Sequence, residues 1–441
     1  MLPITTVVSI KKTHINLIFL GHVDAGKSTV AGHLLQLTGQ VDERTMEKIK
    51  REAAENNRAT WSFAYLLDTN EEERARGKTV EVGRAYFETG SKRVTVIDAP
   101  GHRSFVPNMI LGLAQADIGA LVVSAKTGEF ESGFEKGGQT REHAILAKTM
   151  GLSHLIVVVN KMDEVEWSQT RFDEIRDKLH TFLIGVGWRS PVYIPISGFI
   201  GTGLLSSEQL RETCSWYRGL SFLDTLDTVP PIARSADGVH NMLRMTIAYR
   251  FADMGCIFVV GKVESGSIKK GQSILIMPSN QQAKVKCIYL RDDIEVDDVG
   301  AGESIRVGLV GDSTIIDTTN TGSILCHSCD LPRVTQELTV QLVVLEMPST
   351  NPLFTAGYEC IIHIHTCSKE CVVSELVVEL DKKTRKPRKF KPTFVRIGGV
   401  VNAKLLISAP ICVELFSKLP QLGRFILRDK GLTIAAGKIL A

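Results

Sequence analysis

Nowhere in the 441 residues is there an apolar run of about eighteen uncharged residues, the length a membrane-spanning helix needs. The longest candidates, such as residues 155–159, are of strand length. An apolar segment at 15–20 runs straight into Gly21-His22-Val23-Asp24 with no small-residue cleavage pattern, so it does not read as an export signal. An excess of one charge is also missing. The 52 Lys and Arg face 49 Asp and Glu, and a formal charge of +3 is too small to argue for nucleic acid by bulk charge. Internal repeats and low-complexity segments are absent as well.

A disulfide framework is not expected either. The nine cysteines (Cys214, Cys256, Cys287, Cys326, Cys329, Cys360, Cys367, Cys371 and Cys412) are odd in number and lack an export context, so they read as reduced cytosolic thiols. Cys326-His327-Ser328-Cys329 has the spacing of half a zinc site. The His363, His365, Cys367 and Cys371 that follow lie in strand-like sequence and not in a second compact pair, so core or loop thiols are the expectation. The length corresponds to about three domains, ample for several cores without a metal or disulfide staple. At 44% apolar and 23% charged, the composition is that of an ordinary soluble globular protein, expected in the cytoplasm.

The first half alternates apolar runs with amphipathic stretches, the pattern of a parallel α/β sheet. Strands are expected at 15–20, 94–98, 118–124, 155–160 and 192–197, and helices at 27–37, 105–114, 140–150 and 171–186. The charged stretch 43–57 reads as a solvated helix outside that core. The texture changes near Val229-Pro230-Pro231. Short β-branched runs separated by glycine turns follow, with a second break at Asp330-Leu331-Pro332, which predicts two β domains of barrel or sandwich type.

Gly21-His22-Val23-Asp24-Ala25-Gly26-Lys27-Ser28, followed by Thr29, fits the phosphate-loop pattern G-x-x-x-x-G-K-[ST] between a predicted strand and a predicted helix. Its glycines let backbone N–H groups curl around phosphate oxygens, and the helix N-terminus adds partial positive charge. Lys27 is expected on the β- and γ-phosphates and Ser28 on Mg²⁺. Asp98, at the carboxyl end of the next strand, is placed to hold Mg²⁺ through water, and Gly101 lets its N–H approach the γ-phosphate. Asn160-Lys161-Met162-Asp163 ends a later strand and selects the base. The Asp163 carboxylate can accept both N1–H and N2–H₂ of guanine, Asn160 can meet the acceptor side, and the Lys161 stem can cover the ring. Ser197-Gly198 would give a backbone N–H to the guanine carbonyl. A wrong base would leave a buried carboxylate unpaired, so GTP is favoured over ATP. The charged run 68–80 carries Thr79, which would ligate Mg²⁺ when the segment folds over the nucleotide and be released when the γ-phosphate is lost.

Taken together these motifs resemble the translational GTPases, the family of elongation factor Tu and elongation factor one-alpha. Residues 21–29, 98–102, Gly138-Gln139-Thr140-Arg141-Glu142-His143-Ala144 and 160–163 occur in the family's order, and Gly423-Arg424-Phe425-Ile426-Leu427-Arg428-Asp429 extends the likeness to the last domain. The resemblance implies a P-loop GTPase domain of α/β class at 1–229, a β-barrel at 237–331 and a second barrel, binding the adaptor, at 333–441. It implies that His102 is the catalytic residue positioning the attacking water, with the ribosome as activator. Rate gains in activated GTPases reach about 10⁵.

Within the family, the runs around Asp68-Thr69-Asn70-Glu71 and Gly77-Lys78-Thr79-Val80-Glu81-Val82-Gly83 look like the class II termination factors, as do Glu264-Ser265-Gly266-Ser267-Ile268 and His363-Ile364-His365-Thr366. The loop Met162-Asp163-Glu164-Val165-Glu166-Trp167 has instead the length found in ribosome-rescue factors. The sequence starts shortly before the first strand, without the long extension of termination factors, and no activity of that extension is carried over. The implied function is a ribosome-stimulated GTP hydrolase that delivers the class I release factor at stop codons, with no membrane or DNA partner. The alternatives are a rescue GTPase partnered with Pelota and an aminoacyl-tRNA-carrying elongation factor. Arg424 and Arg428 are the candidate contacts for the release factor, with barrel packing as the other reading. Phe425 and Ile434 read as barrel packing. The basic run 381–391, with seven Lys and Arg, is either a phosphate-contacting loop or a solvated hairpin tip.

Overall fold

The computed structural model describes residues 12–55, 61–67, 79, 82–135, 138–232, 242–253, 256–290, 294–312, 318–381, 384 and 386–441. Of the charged run 68–80, only Thr79 is among the described residues; 68–78 and 80 lie outside them.

Strands β1 (Thr13–Leu20), β2 (Gly83–Glu88), β3 (Lys92–Asp98), β4 (Ile118–Ser124), β5 (His154–Asn160) and β6 (Val192–Pro195) form one sheet in the order β2-β3-β1-β4-β5-β6. All neighbours run parallel except the β2–β3 pair at the edge. The sheet is covered on both faces, which explains why its strands read as unbroken apolar runs. Along β1 the side chains alternate between two cores: Ile15, Leu17 and Phe19 pack with Val30 and Leu34, while Ile18 and Leu20 pack with Met109 and Val157. The parallel order brings the carboxyl ends of β1, β3 and β5 to one edge, so Gly21, Asp98 and Asn160 arrive together although they are far apart in sequence.

Two details differ from the sequence reading. The helix Glu43–Glu55 is not solvated all round: Met46, Ile49 and Ala53 are buried, and Ile49 and Ala53 pack on Tyr65. Its apolar residues are few but lie at i, i+3 and i+7, which is enough for one face. The sheet also has the antiparallel edge strand β2, which the apolar-run criterion missed because its alternation Arg84, Ala85, Tyr86, Phe87 buries only Phe87.

After the helix Phe222–Thr228 the chain becomes all β. Strands β7 (Arg244–Asp253), β8 (Cys256–Ser265), β9 (Ser267–Lys269), β10 (Ser273–Met277), β11 (Gln281–Leu290), β12 (Ile294–Val296), β13 (Asp298–Gly300), β14 (Ser304–Gly311) and β15 (Ile324–Cys326) build the second unit. Six of them close a ring, β10-β15-β7-β8-β14-β11, through the β10–β11 pairing. The third unit contains β16 (Arg333–Val344), β17 (Phe354–Thr355), β18 (Glu359–Ile364), β19 (Cys367–Leu380), β20 (Phe394–Val395), β21 (Val400–Val413), β22 (Arg424–Asp429) and β23 (Leu432–Ile439). Its closed barrel runs β16-β21-β19-β18-β22-β23. Phe425 and Ile434 lie in its core, both fully buried. A P-loop domain followed by two six-strand antiparallel barrels is therefore the fold. Among the described residues no group of His, Cys, Asp and Glu is arranged to hold a metal, and eight of the nine thiols are buried, Cys329 alone being exposed.

The three units meet through apolar and polar contacts: Ile426 of β22 packs in the first-domain core, and Met277 and Ile324 pack with Leu419 and Leu422 between the barrels. Between the sheet and the second unit, Lys262 Nζ lies 2.8 Å from Asp117 Oδ1, and Asp117 Oδ2 accepts from the backbone N and Nδ2 of Asn16. Asn16 Nδ2 also donates to Gly302 O, and Arg93 pairs with Glu303 at 2.6 Å. Between the two barrels, Arg244, with no exposed surface, pairs with Glu414 at 2.8 Å and donates to Asp330 O.

Candidate functional site

The chain leaves β1 at Leu20 and turns through the phosphate loop into the helix Lys27–Leu37, which has Gly26 at its N-cap. Gly26 adopts φ 90°, and a Cβ there would collide with the Asn160 side-chain amide. Only glycine meets both conditions. A Cβ on Gly101 would collide with Lys27 Nζ, so that glycine permits the close approach of the loop after β3 to the phosphate loop. The space enclosed is a cleft of about 400 Å³ lined by Asp24, Lys27, Ser28, Thr29, Thr79 and Gly101 at one end and by Asn160, Lys161 and Asp163 at the other. His102 also lines it.

Each end has its own chemistry. Lys27 is buried, and its Nζ donates to His22 O at 2.8 Å. Burial holds its pKa below the usual lysine value, opposed by the nearby Asp98 and Asp24 carboxylates. An ammonium so placed gains from an entering anion what it lost in solvation. Ser28 Oγ donates to Asp98 Oδ2 and lies 3.3 Å from Thr79 Oγ1. Three oxygen ligands of the hard type thus converge beside Lys27, a donor set that fits Mg²⁺.

At the far end the Asp163 carboxylate lines the cleft with no hydrogen-bond or ion-pair partner among the described residues. Lys161, at φ 61°, is held by Glu129, with Nζ 2.8 Å from Oε2. Asn160 is bonded within the protein. Its Nδ2 donates to Ala25 O at 2.9 Å, and its Oδ1 accepts from the backbone N–H groups of both Lys161 and Gly198 at 2.8 Å. It is a strut joining the phosphate loop to the base end. The Ser197 N–H donates to Thr202 O and that of Gly198 to Asn160 Oδ1, and Phe199 is the residue of that turn that lines the cleft.

His102 is half-buried, and its Nδ1 accepts from the Ser104 N–H at 3.2 Å. With Nδ1 accepting, the N–H of a neutral ring is on Nε2. Its ring lies 5.8 Å from that of Phe105.

Sequence reasoning passed over other residues at the site. Trp61, Ala64 and Glu164 also line the cleft, and nothing in their local sequence marks them. His143 was read only as part of the run 138–144. It is fully buried beneath the phosphate loop, and its Nδ1 accepts from the Gly21 N–H at 3.1 Å. Burial, with Lys27 nearby, pushes its pKa down to about 3, so it stays neutral and serves as an acceptor.

Arg424 and Arg428 lie where the third unit meets the first domain. Arg428 is only 4% exposed; its Nη2 donates to Gly431 O and lies 3.6 Å from Glu142 Oε1 of the first domain. Thr433 donates to the same Glu142 oxygen at 3.0 Å. Arg424 lies against Gly151, at the end of the helix Gln139–Met150, and over the Phe416 ring at 5.3 Å. These arginines face the chain's own first domain, and Arg428 offers no surface to a partner in this arrangement.

The comparisons agree with this geometry. The profile of the Elongation factor Tu GTP binding domain matches residues 12–252, and that of the GTP-eEF1A C-terminal domain-like family matches residues 337–440. A relative from Dictyostelium discoideum, named Eukaryotic peptide chain release factor GTP-binding subunit, is 47% identical over 438 residues, covering 97% of this chain and 77% of the relative. The relative of the same name from Schizosaccharomyces pombe is 45% identical over 435 residues, covering 97% of this chain but 64% of its own length. The chain thus spans less than two thirds of the latter protein. The solved structure of the S. cerevisiae Ski7 GTPase-like domain, bound to GTP, shares the fold with a TM-score of 0.79 at 16% identity, each chain covered in full. The chain carries a guanine-nucleotide-binding domain of the elongation factor Tu type and belongs to the family of eukaryotic peptide chain release factor GTP-binding subunits.

Proposed function

We propose that this chain is a ribosome-stimulated GTPase that delivers a class I release factor to ribosomes halted at stop codons. The observation that carries the reading is the junction of two things: a cleft with a phosphate end and a base end, and relatives 43–47% identical that bear the release-factor name. In this reading the Lys27 ammonium sits on the β- and γ-phosphates, and the first-turn N–H groups of the helix Lys27–Leu37 surround them. Asp163 accepts the two donors on one edge of guanine. Ser28, Thr79 and Asp98 would hold Mg²⁺, which supplies charge neutralisation on the phosphate oxygens.

Hydrolysis needs placement and charge more than covalent chemistry. His102 supports that role because it lines the cleft next to Gly101, with Nδ1 tied to the backbone of its own loop. The ribosome would fix this side chain in its working position. The soluble cytoplasmic setting belongs to the same reading; no helix among the described residues is long and apolar enough to cross a membrane. The test is GTP turnover with purified ribosomes, with the class I release factor, with Pelota or with aminoacyl-tRNA. Stimulation by the class I release factor alone is expected. Stimulation by Pelota alone would move the chain to ribosome rescue, and by aminoacyl-tRNA alone to elongation.

A further inference from the structure

The charge of this protein is unevenly distributed. Residues 381–396 contain eight Lys and Arg and one Asp, a formal +7, so the other 425 residues sum to −4. The segment links β19 to β20, and in the ring of the third unit β19 stands across from β23, which carries Thr433 of the first-domain contact. The basic segment is therefore on the side turned away from that contact. It has structure of its own: Asp381 N–H donates to Lys386 O, Arg388 N–H to Glu379 O, and Leu380 bridges to Pro387, which extends the end of β19. Pro387 and Pro392 restrict the backbone on either side of Arg388-Lys389-Phe390-Lys391.

At the centre is Phe390, 85% exposed, the most exposed large apolar side chain among the described residues. Phe394 is 40% exposed and has the Arg396 guanidinium 5.7 Å from its ring centre. Two of the cations are compensated, Arg388 by Glu379 at 3.0 Å and Lys391 by Glu375 at 2.5 Å. Lys386, Lys389 and Arg396 have no acidic partner among the described residues. A bare aromatic ring among uncompensated cations matches one chemistry closely. Flat base faces stack on the ring while phosphates meet the cations. A membrane surface fits less well, because a single phenylalanine supplies little apolar area for insertion. Duplexes fit less well too, because their bases are already stacked.

We propose that residues 386–396 form a binding site for single-stranded RNA, with Phe390 stacked on an unpaired base and Lys386, Lys389 and Arg396 on the flanking phosphates. The site is separate from the nucleotide cleft. The test uses the 441-residue chain and fluorescently labelled RNA 12-mers, single-stranded and duplex, with anisotropy read across a KCl series. Three phosphate contacts give a slope of about −2 in log affinity against log salt for a single strand. Phe390→Ala should weaken single-strand binding about tenfold, Phe390→Trp should retain it, and duplex binding should respond to neither. Lys386→Glu with Lys389→Glu should weaken binding further and flatten the salt slope. The proposal is overturned if Phe390→Ala leaves single-strand affinity unchanged. It is overturned equally if phosphatidylserine vesicles bind in a Phe390-dependent way while RNA does not, or if polyglutamate competes as well as RNA. GTP affinity, measured on the same variants, should stay at the parent value, so a failure here leaves the nucleotide cleft untouched.

Discussion

Replacing Lys262 by Met should loosen the second unit from the first, and the size of the effect follows from the geometry. Lys262 and Asp117 are 5% and 6% exposed in their side chains, with 2.8 Å between Nζ and Oδ1. At an effective dielectric constant of about 20, that separation corresponds to about 6 kcal/mol of attraction, against several kcal/mol of desolvation per ion. Deleting one partner of such a pair costs about 3–5 kcal/mol, because the other charge stays buried. The lower end applies here, since Asp117 keeps two donors from Asn16, but Glu264, 3.7 Å from Lys262, loses its nearby cation as well. About 3 kcal/mol is expected. All four tryptophans (Trp61, Trp167, Trp188 and Trp216) precede the barrels, so urea unfolding followed by tryptophan fluorescence reads the first domain alone, and circular dichroism adds the barrels. In the variant the two transitions should separate, and the Asp117→Asn, Lys262→Met double variant should recover most of the loss. A single-variant loss under about 1 kcal/mol, the range of exposed pairs, would refute the argument that this junction depends on a buried charge.

Other consequences can be checked separately. His102→Ala should lower ribosome-stimulated GTP turnover by about a thousandfold or more while leaving GTP affinity within about twofold, read by single-turnover hydrolysis and equilibrium titration. Asp163→Asn should shift preference from guanine to xanthine nucleotides by about a hundredfold or more, because an amide cannot accept both guanine donors. Three buried histidines make stability fall with acid: His143 is pushed down to about 3 and His363 and His365 to about 4, each by burial first. Groups with depressed folded pKa values take up protons on unfolding below about pH 6.5, so each removes about 2 kcal/mol by pH 5 and continues to do so down to its folded value. Urea titrations between pH 7 and 5 should show this slope, and His143→Gln should reduce it by one proton.

How much of this was legible beforehand depends on where the constraint on each residue lies. The phosphate loop, Asp98 and Asn160-Lys161-Met162-Asp163 were readable because phosphate and base contacts impose residue types at fixed spacing within a few positions of a strand end. The sheet and its helices were readable for a similar reason: two-sided burial leaves unbroken apolar runs, as in residues 155–160. The bonds of Asn160 to Ala25, Lys161 and Gly198 were not legible, because an asparagine with those partners has the same local sequence as one without them. Trp61 and His143 were invisible for a stronger reason. Their relation to the cleft is set by tertiary contacts across more than a hundred residues in the case of His143 and Gly21.

Arg424 and Arg428 show the limit most plainly. An arginine on a barrel strand ordinarily reads as surface, and a conserved-looking run on a last domain invites assignment to a partner. Yet the burial of Arg428 is a property of the pair it makes with Glu142, 286 positions earlier, and no periodicity in β22 records it. The same holds for Lys262 with Asp117 and Arg244 with Glu414. Apolar contact also joins the units, with Ile426 in the first-domain core and Met277 and Ile324 packed with Leu419 and Leu422 between the barrels. At the junction of the first and second units, however, Lys262, Asp117, Asn16, Arg93 and Glu303 are charged and amide groups, the types that sequence patterns assign to solvent. A junction of that composition exposes little apolar surface when it opens, which keeps movement of the second unit against the first within reach of the energy that a bound nucleotide or partner supplies.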